Sequence, residues 1–181
     1  MAFLSPECKP MPSRSPAHCP PRHALILCAS LVENSMNLGA LCRTAEVLGL
    51  QELVLPTLAV IDDNDFRKLA VSSQKWQALS ACAPQQLPVW ISQQRAQGHT
   101  VIALTLYPQA VQLPDYQFPR DAVLILGREL TGIPETVVQQ CDDVVAIPQF
   151  GLVESLNVHT AAAIAAYAYL CQHEPTEHRA P

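Results

Sequence analysis

The sequence predicts an α/β domain, a parallel sheet with helices on both faces. Three observations predict it. Short apolar runs recur along the chain, as in HALILCAS (His23 to Ser30), HTVIALTL (His99 to Leu106) and AVLIL (Ala122 to Leu126). These runs are continuous rather than alternating, which suits strands buried on both faces. Segments with helical spacing separate them, and strands alternating with helices are the mark of this class. With 181 residues, one such domain has room for a sizeable core.

The elements follow in chain order. Residues 1 to 22 carry six of the 16 prolines and no apolar period, and read as a flexible arm. HALILCAS is the first strand and LVENSMN a polar loop. In LGALCRTAEVLGL the apolar residues Leu38, Leu41, Ala45 and Leu48 fall at helical spacing, and Gly49 suits the helix end. Asn37 is a plausible cap for that helix. ELVLP, Glu52 to Pro56, is a second strand. A loop opens a short helix at Asp63 to Ala70. Trp76 to Cys82 is ambiguous, a short strand being one reading. A helix is expected over Gln86 to Gln97, closed by Gly98, and a strand over His99 to Leu106. Tyr107 to Arg120 reads as a proline-bearing loop. After the strand Ala122 to Leu126, Pro134 to Gln140 forms a short helix with a well-placed first-turn proline. VVAIP is the last strand. Leu156 to Gln172, free of Gly and Pro, is the final helix, with Ser155 in the usual place of an N-cap. Residues 173 to 181 read as a disordered tail.

Composition narrows the function. The chain is 49% hydrophobic and 15% charged, which excludes a disordered acidic chain or a coiled coil. No apolar run reaches the ~20 residues of a membrane span, and the N-terminus lacks the apolar core of a secretory signal. A cytoplasmic protein is expected. Seven cysteines, irregularly spaced and without a CxxC pair, read as reduced core thiols. The six histidines show no metal-ligand spacing, so no metal is expected. A net charge of −5 argues against a general nucleic-acid binder but not against a local basic patch.

In parallel sheets, ligands bind beyond the carboxyl ends of the strands. The turns after Leu126 and Ile147 are therefore the candidate site. Gly127-Arg128-Glu129-Leu130-Thr131-Gly132 begins with a glycine, which permits close approach to the backbone. It lacks the Gly-Lys-Ser/Thr ending of a phosphate loop. Gly151 to Asn157 leads into the final helix, whose first free N–H groups are able to hold a ligand. Upstream, Asn37 to Arg43 reads NLGALCR. Each stretch alone also has a plain structural reading: a turn, a helix cap, a solvated arginine.

Together they resemble the motifs of the SPOUT-class RNA methyltransferases of the SpoU/TrmH branch, in the family's order. NLGALCRTAEVLG (Asn37 to Gly49) resembles the first motif, LILGRELTGIP (Leu124 to Pro134) the second, and IPQFGLVESLNVHTAAAIAAY (Ile147 to Tyr167) the third. The similarity runs over residues 23 to 172. It implies an α/β fold whose C-terminal part is tied in a deep trefoil knot, rare enough that no periodicity would propose it. It implies S-adenosyl-L-methionine as cofactor, held at Gly127, Ile147, Leu156 and Thr105. It implies a homodimer, which the final helix with its alanines and Tyr167 would help to pack, a simple core helix being the other reasonable reading. The implied reaction is methyl transfer to a ribose 2′-hydroxyl of RNA, by in-line displacement at the sulfonium methyl. Catalytic positions carry over to Arg43, Asn37, Glu129, Ser155 and Asn157. The family's arginine is regarded as the base or as the group that orients hydroxyl and phosphate. A free arginine is protonated near pH 7, so positioning is the better reading. Glu129 is expected to orient Arg43 or Asn37, and Ser155 and Asn157 to shape the pocket. GLVESLNV resembles the branch that methylates guanosine 18 in the tRNA D-loop. Ribosomal RNA is the alternative target, and a non-catalytic RNA-binding protein that keeps the knot is a second class. Arg43, Arg67, Lys68, Lys75 and Arg128 are the expected RNA-facing cations.

Overall fold

The structure, a computed structural model, describes residues 22–153 and 155–173. Seven strands form one parallel sheet: β1 (His23–Cys28), β2 (Leu50–Leu55), β3 (Leu79–Ala81), β4 (Thr100–Leu104), β5 (Val111–Gln112), β6 (Ala122–Leu126) and β7 (Asp143–Ala146). Their order across the sheet is β3-β2-β1-β6-β4-β7-β5. β6 thus inserts between β1 and β4, and β7 between β4 and β5. Among the described residues five α-helices cover it: α1 (Ser35–Val47), α2 (Asn64–Ala70), α3 (Leu87–Ala96), α4 (Glu135–Val138) and α5 (Val158–Leu170).

Successive side chains of a strand point to opposite faces, and the two cores divide on that rule. Leu25, Leu27, Leu53, Leu55, Ile102 and Leu124 pack against Leu38 and Leu41 of α1, Phe66 of α2, and Ala162, Ala165 and Tyr169 of α5. Their neighbours Ile26, Cys28, Val54, Val101, Val123 and Ile125 pack against Leu87 and Ile91 of α3 and Val137 and Val138 of α4. This is why the runs read as continuous: neither face is wet. Each fully buried Leu, Ile or Phe contributes about 1.5–3 kcal/mol.

Helix ends explain several shifts from the expected boundaries. Asn34, not Asn37, caps α1: its Oδ1 accepts from the N–H groups of Met36 at 2.9 Å and Asn37 at 3.3 Å. Asn157, not Ser155, caps α5, accepting from the His159 N–H at 2.9 Å. Leu156 consequently precedes the helix. Pro134 sits at the N-cap of α4 rather than inside it. Gly49, at φ +64°, provides the left-handed residue that ends α1 as expected. The ambiguous stretch resolves as the edge strand β3. β5 was hidden in the proline-bearing loop, being two exposed residues without a period.

The amino ends of the strands are closed by polar groups. Arg22, read with the arm, is instead buried at 8% exposure. Its guanidinium pairs with Glu46 at 2.6 Å and donates to Gln77 Oε1 and to the carbonyls of Leu50 and Trp76. His173, read with the tail, sits against the Phe118 carbonyl at 2.8 Å. The rest of the arm and the tail, residues 1–21 and 174–181, lie outside the described residues. Cys28, Cys42 and Cys82 are buried free thiols. No described helix is long and apolar enough to cross a membrane.

Candidate active site

A cavity of about 470 Å³ opens beyond the carboxyl ends of β4, β6 and β7, within the size range of small-molecule sites. Leu104, Leu126, Val158 and Ala161 give it apolar walls. Gly127, Thr105, Ile147 and Leu156, the four expected cofactor positions, all line it, as do Glu129, Ser155 and Asn157.

Sterics account for two glycines. A Cβ on Gly127 would lie 2.8 Å from the carbonyl carbon of Gly132. The turn closes there through two backbone bonds, Arg128 N–H to the Gly132 carbonyl at 3.0 Å and Gly132 N–H to the Arg128 carbonyl at 3.1 Å. This tight loop throws Glu129 and Leu130 outward. A Cβ on Gly39 would lie 2.3 Å from the Phe66 carbonyl oxygen, so the first motif's glycine sets the contact between α1 and α2.

Glu129 reaches α1. Its carboxylate accepts from Asn37 Nδ2 at 2.9 Å, the Asn34 N–H at 3.1 Å and the Glu33 N–H at 3.3 Å. Partial burial raises its pKa, but these hydrogen bonds outweigh it and hold the carboxyl below its usual range. Glu129 therefore orients Asn37, and not Arg43. Asn37 Oδ1 in turn accepts from Asn157 Nδ2 at 3.0 Å. One hydrogen-bonded chain, Glu129–Asn37–Asn157, thus ties all three motifs together at the cavity rim.

Arg43 lies six residues beyond Asn37 on α1. It is exposed, does not line the cavity, and has no hydrogen-bond or ion-pair partner among the described residues. Of the other expected RNA-facing cations, Arg128 pairs with Glu33 at 3.3 Å and Arg67 pairs with Asp62. Lys68 and Lys75 are exposed and make no such pair among the described residues. Two residues absent from the expected set also join the arrangement: Thr44 Oγ1 and His159 Nε2 are 2.8 Å apart. No local pattern links them, since they are 115 positions apart in the sequence.

The sequence model of the SpoU rRNA Methylase family matches residues 24–167. The chain belongs to that family. Within it, the mouse protein named tRNA (guanosine(18)-2′-O)-methyltransferase TARBP1 is 42% identical over 148 residues. The Saccharomyces cerevisiae tRNA (guanosine(18)-2′-O)-methyltransferase is 33% identical over 153 residues. These matches take in 82% and 84% of this chain but 9% and 11% of the relatives, so the chain spans about a tenth of their length. The TrmH/SpoU tRNA modifying enzyme of Aquifex aeolicus superposes with a TM-score of 0.73 at 25% identity, covering 84% of this chain and 76% of that one.

Proposed function

We propose that this chain transfers the methyl group of S-adenosyl-L-methionine to a ribose 2′-hydroxyl of tRNA, with guanosine 18 of the D-loop as the favoured target. The observation that carries the reading is the Glu129–Asn37–Asn157 chain at the rim of the cavity. It joins the motifs that family membership makes meaningful. The names of the mouse and yeast relatives support the choice of RNA and nucleotide.

The lining fits the methyl donor. Leu126, Leu156 and Val158 offer apolar contact for an adenine, and Gly127 lines the cavity beside them, its missing Cβ making room for the Gly132 backbone rather than for a ligand. Gly127, Ile147, Leu156 and Thr105 would hold the donor, which when bound supplies an electrophilic sulfonium methyl. The chain's own residues then have to align a hydroxyl with it, and alignment alone is worth several kcal/mol. Glu129, held ionised, fixes Asn37 rather than taking the proton. Asn37 fixes the Asn157 side-chain amide. Ser155, exposed on the cavity wall, faces the incoming ribose. Arg43 stands outside the cavity and orients the RNA phosphate or hydroxyl from there.

Two further features belong to this reading. The C-terminal part is tied in the family's deep trefoil knot, and the insertion of β6 and β7 between earlier strands suits such a path. The protein is a homodimer in the cytoplasm. α5 supports this with an exposed stripe, Thr160, Ile164, Tyr167 and Cys171, spaced along one helix face and flanked by alanines that permit close approach. Sedimentation at micromolar concentration reads the dimer directly, and a monomer overturns it.

The test of function is methylation of separated tRNA and ribosomal RNA in vitro, followed by nucleoside mass spectrometry. Methyl label at guanosine 18 of tRNA is expected. Label only in ribosomal RNA overturns the choice of tRNA. Absence of donor binding by calorimetry at near-millimolar concentration overturns catalysis in favour of a non-catalytic RNA-binding role.

A further inference from the structure

We infer that Thr44 and His159 are positioning residues of the methyl-transfer site, acting as a strap that fixes Arg43 of α1 relative to Asn157 of α5. The inference rests on the proposed methyl transfer and adds two residues to it.

The geometry is specific. Two cross-links join α1 to the start of α5. Asn157 Nδ2 donates to Asn37 Oδ1 at 3.0 Å, and His159 Nε2 meets Thr44 Oγ1 at 2.8 Å. Asn37 and Thr44 are seven residues apart, two turns along one face of α1. Asn157 and His159 are themselves joined, because Asn157 Oδ1 accepts from the His159 N–H. The four residues close a ring of contacts. Through Glu129 the ring also holds the GRELTG turn.

Core packing of Leu38, Leu41, Cys42 and Ala45, and of Gly39 against Phe66, already seats α1 on the sheet and on α2. The second cross-link adds a tie to α5 at the residue directly after Arg43. An arginine side chain has many rotamers, and fixing its backbone is what allows a protein to aim it. Thr44 and His159 are both half-buried, which shields their bond from competing water. Burial also lowers the His159 pKa from 6.5, so the ring is neutral near pH 7. It pairs with the hydroxyl in either tautomer, as donor from Nε2–H or as acceptor at Nε2.

The test compares Thr44→Val, Thr44→Ser, His159→Ala and the double variant Thr44→Val/His159→Ala in the full chain. The expected result is a fall in kcat of about tenfold for Thr44→Val and His159→Ala, with KM for S-adenosylmethionine changed by less than about twofold. Thr44→Ser, which keeps the hydroxyl, retains most of kcat. The double variant is no worse than either single one, as required of two groups in one contact. A Thr44→Val enzyme with kcat within about twofold of wild type overturns the strap. So does a Thr44→Ser enzyme as impaired as Thr44→Val, which would mark a packing effect. A second readout does not depend on catalysis: the imidazole ¹⁵N signals of His159 shift in Thr44→Val and stay in place in Thr44→Ser, and the Arg43 amide signal shifts in His159→Ala. If the wild-type chain methylates no RNA, the proposed function falls. The strap then stands or falls on these signals alone, and their failure to move overturns it.

Discussion

The two ends of the sheet are built from the same kinds of bond and do different work. At the amino ends of the strands, Arg22 is buried and pairs with Glu46, Gln77 and two carbonyls. Nearby, the Tyr169 hydroxyl donates to the Arg120 carbonyl, and Gln172 bridges Tyr116 and Phe118. At the carboxyl ends, Glu129, Asn37 and Asn157 form a comparable chain. It sits at the surface, beside a cavity and among exposed apolar residues such as Leu130, Phe150 and Leu152. Buried polar bonds close the first end, because a lost partner there leaves a group without water. Exposed ones shape the second, where a lost partner is replaced by solvent and only geometry suffers. The same chemistry therefore reads as stability at one end and as alignment at the other.

This contrast is open to direct attack. The largest effect is expected from Arg43→Ala: a loss in methyl-transfer rate of about a hundredfold or more, with melting temperature and donor affinity nearly unchanged. Activity retained within a few-fold would remove Arg43 from the site. Glu46→Ala should do the reverse. It strips a charged partner from buried Arg22, costing about 2–4 kcal/mol in chemical denaturation while the folded fraction keeps its rate. If it lowers the rate per folded molecule instead, the two ends are not separable.

The smallest effect is the pH dependence of stability. Burial, and then the neighbouring His173, lower the His23 pKa from 6.5, and burial lowers that of His159. Below about pH 6.5 the unfolded chain therefore binds more protons than the folded one, and stability falls as pH falls. The lowered pKa of Glu129 acts in the same direction below its ordinary 4.5. His23→Gln should flatten the melting-temperature slope between pH 7 and about pH 5. His159→Gln should flatten it too, which would show that each end contributes one histidine.

The strands and most helices were legible because both sheet faces are dry, so β1, β4 and β6 appear as unbroken apolar runs. β3 was legible only as one reading of an ambiguous stretch and β5 not at all, since edge strands with half-exposed or exposed residues carry no such run. Caps were misplaced for a chemical reason. Asn34 and Asn37 are equally competent to cap α1, as are Ser155 and Asn157 for α5, and only the loop geometry chooses. The site residues were named by motif, and the four expected cofactor positions line the cavity together with three of the expected catalytic ones. Their connections were another matter. Glu129 was open to either Arg43 or Asn37, and a separation of 92 positions between Glu129 and Asn37 hides their contact from any local pattern. Thr44 and His159, 115 apart, were invisible for the same reason.

Gly39 has a consequence for timing. With 2.3 Å between the place of its absent Cβ and the Phe66 carbonyl oxygen, α1 has no clearance to slide along α2. Any movement of the α1 backbone toward the cavity then carries two helices as one body. Side chains reorient in picoseconds to nanoseconds, whereas packed helices shift in microseconds to milliseconds. A closing step in this chain would accordingly run on the slower clock, set by a glycine that does not line the cavity and sits one turn before the arginine.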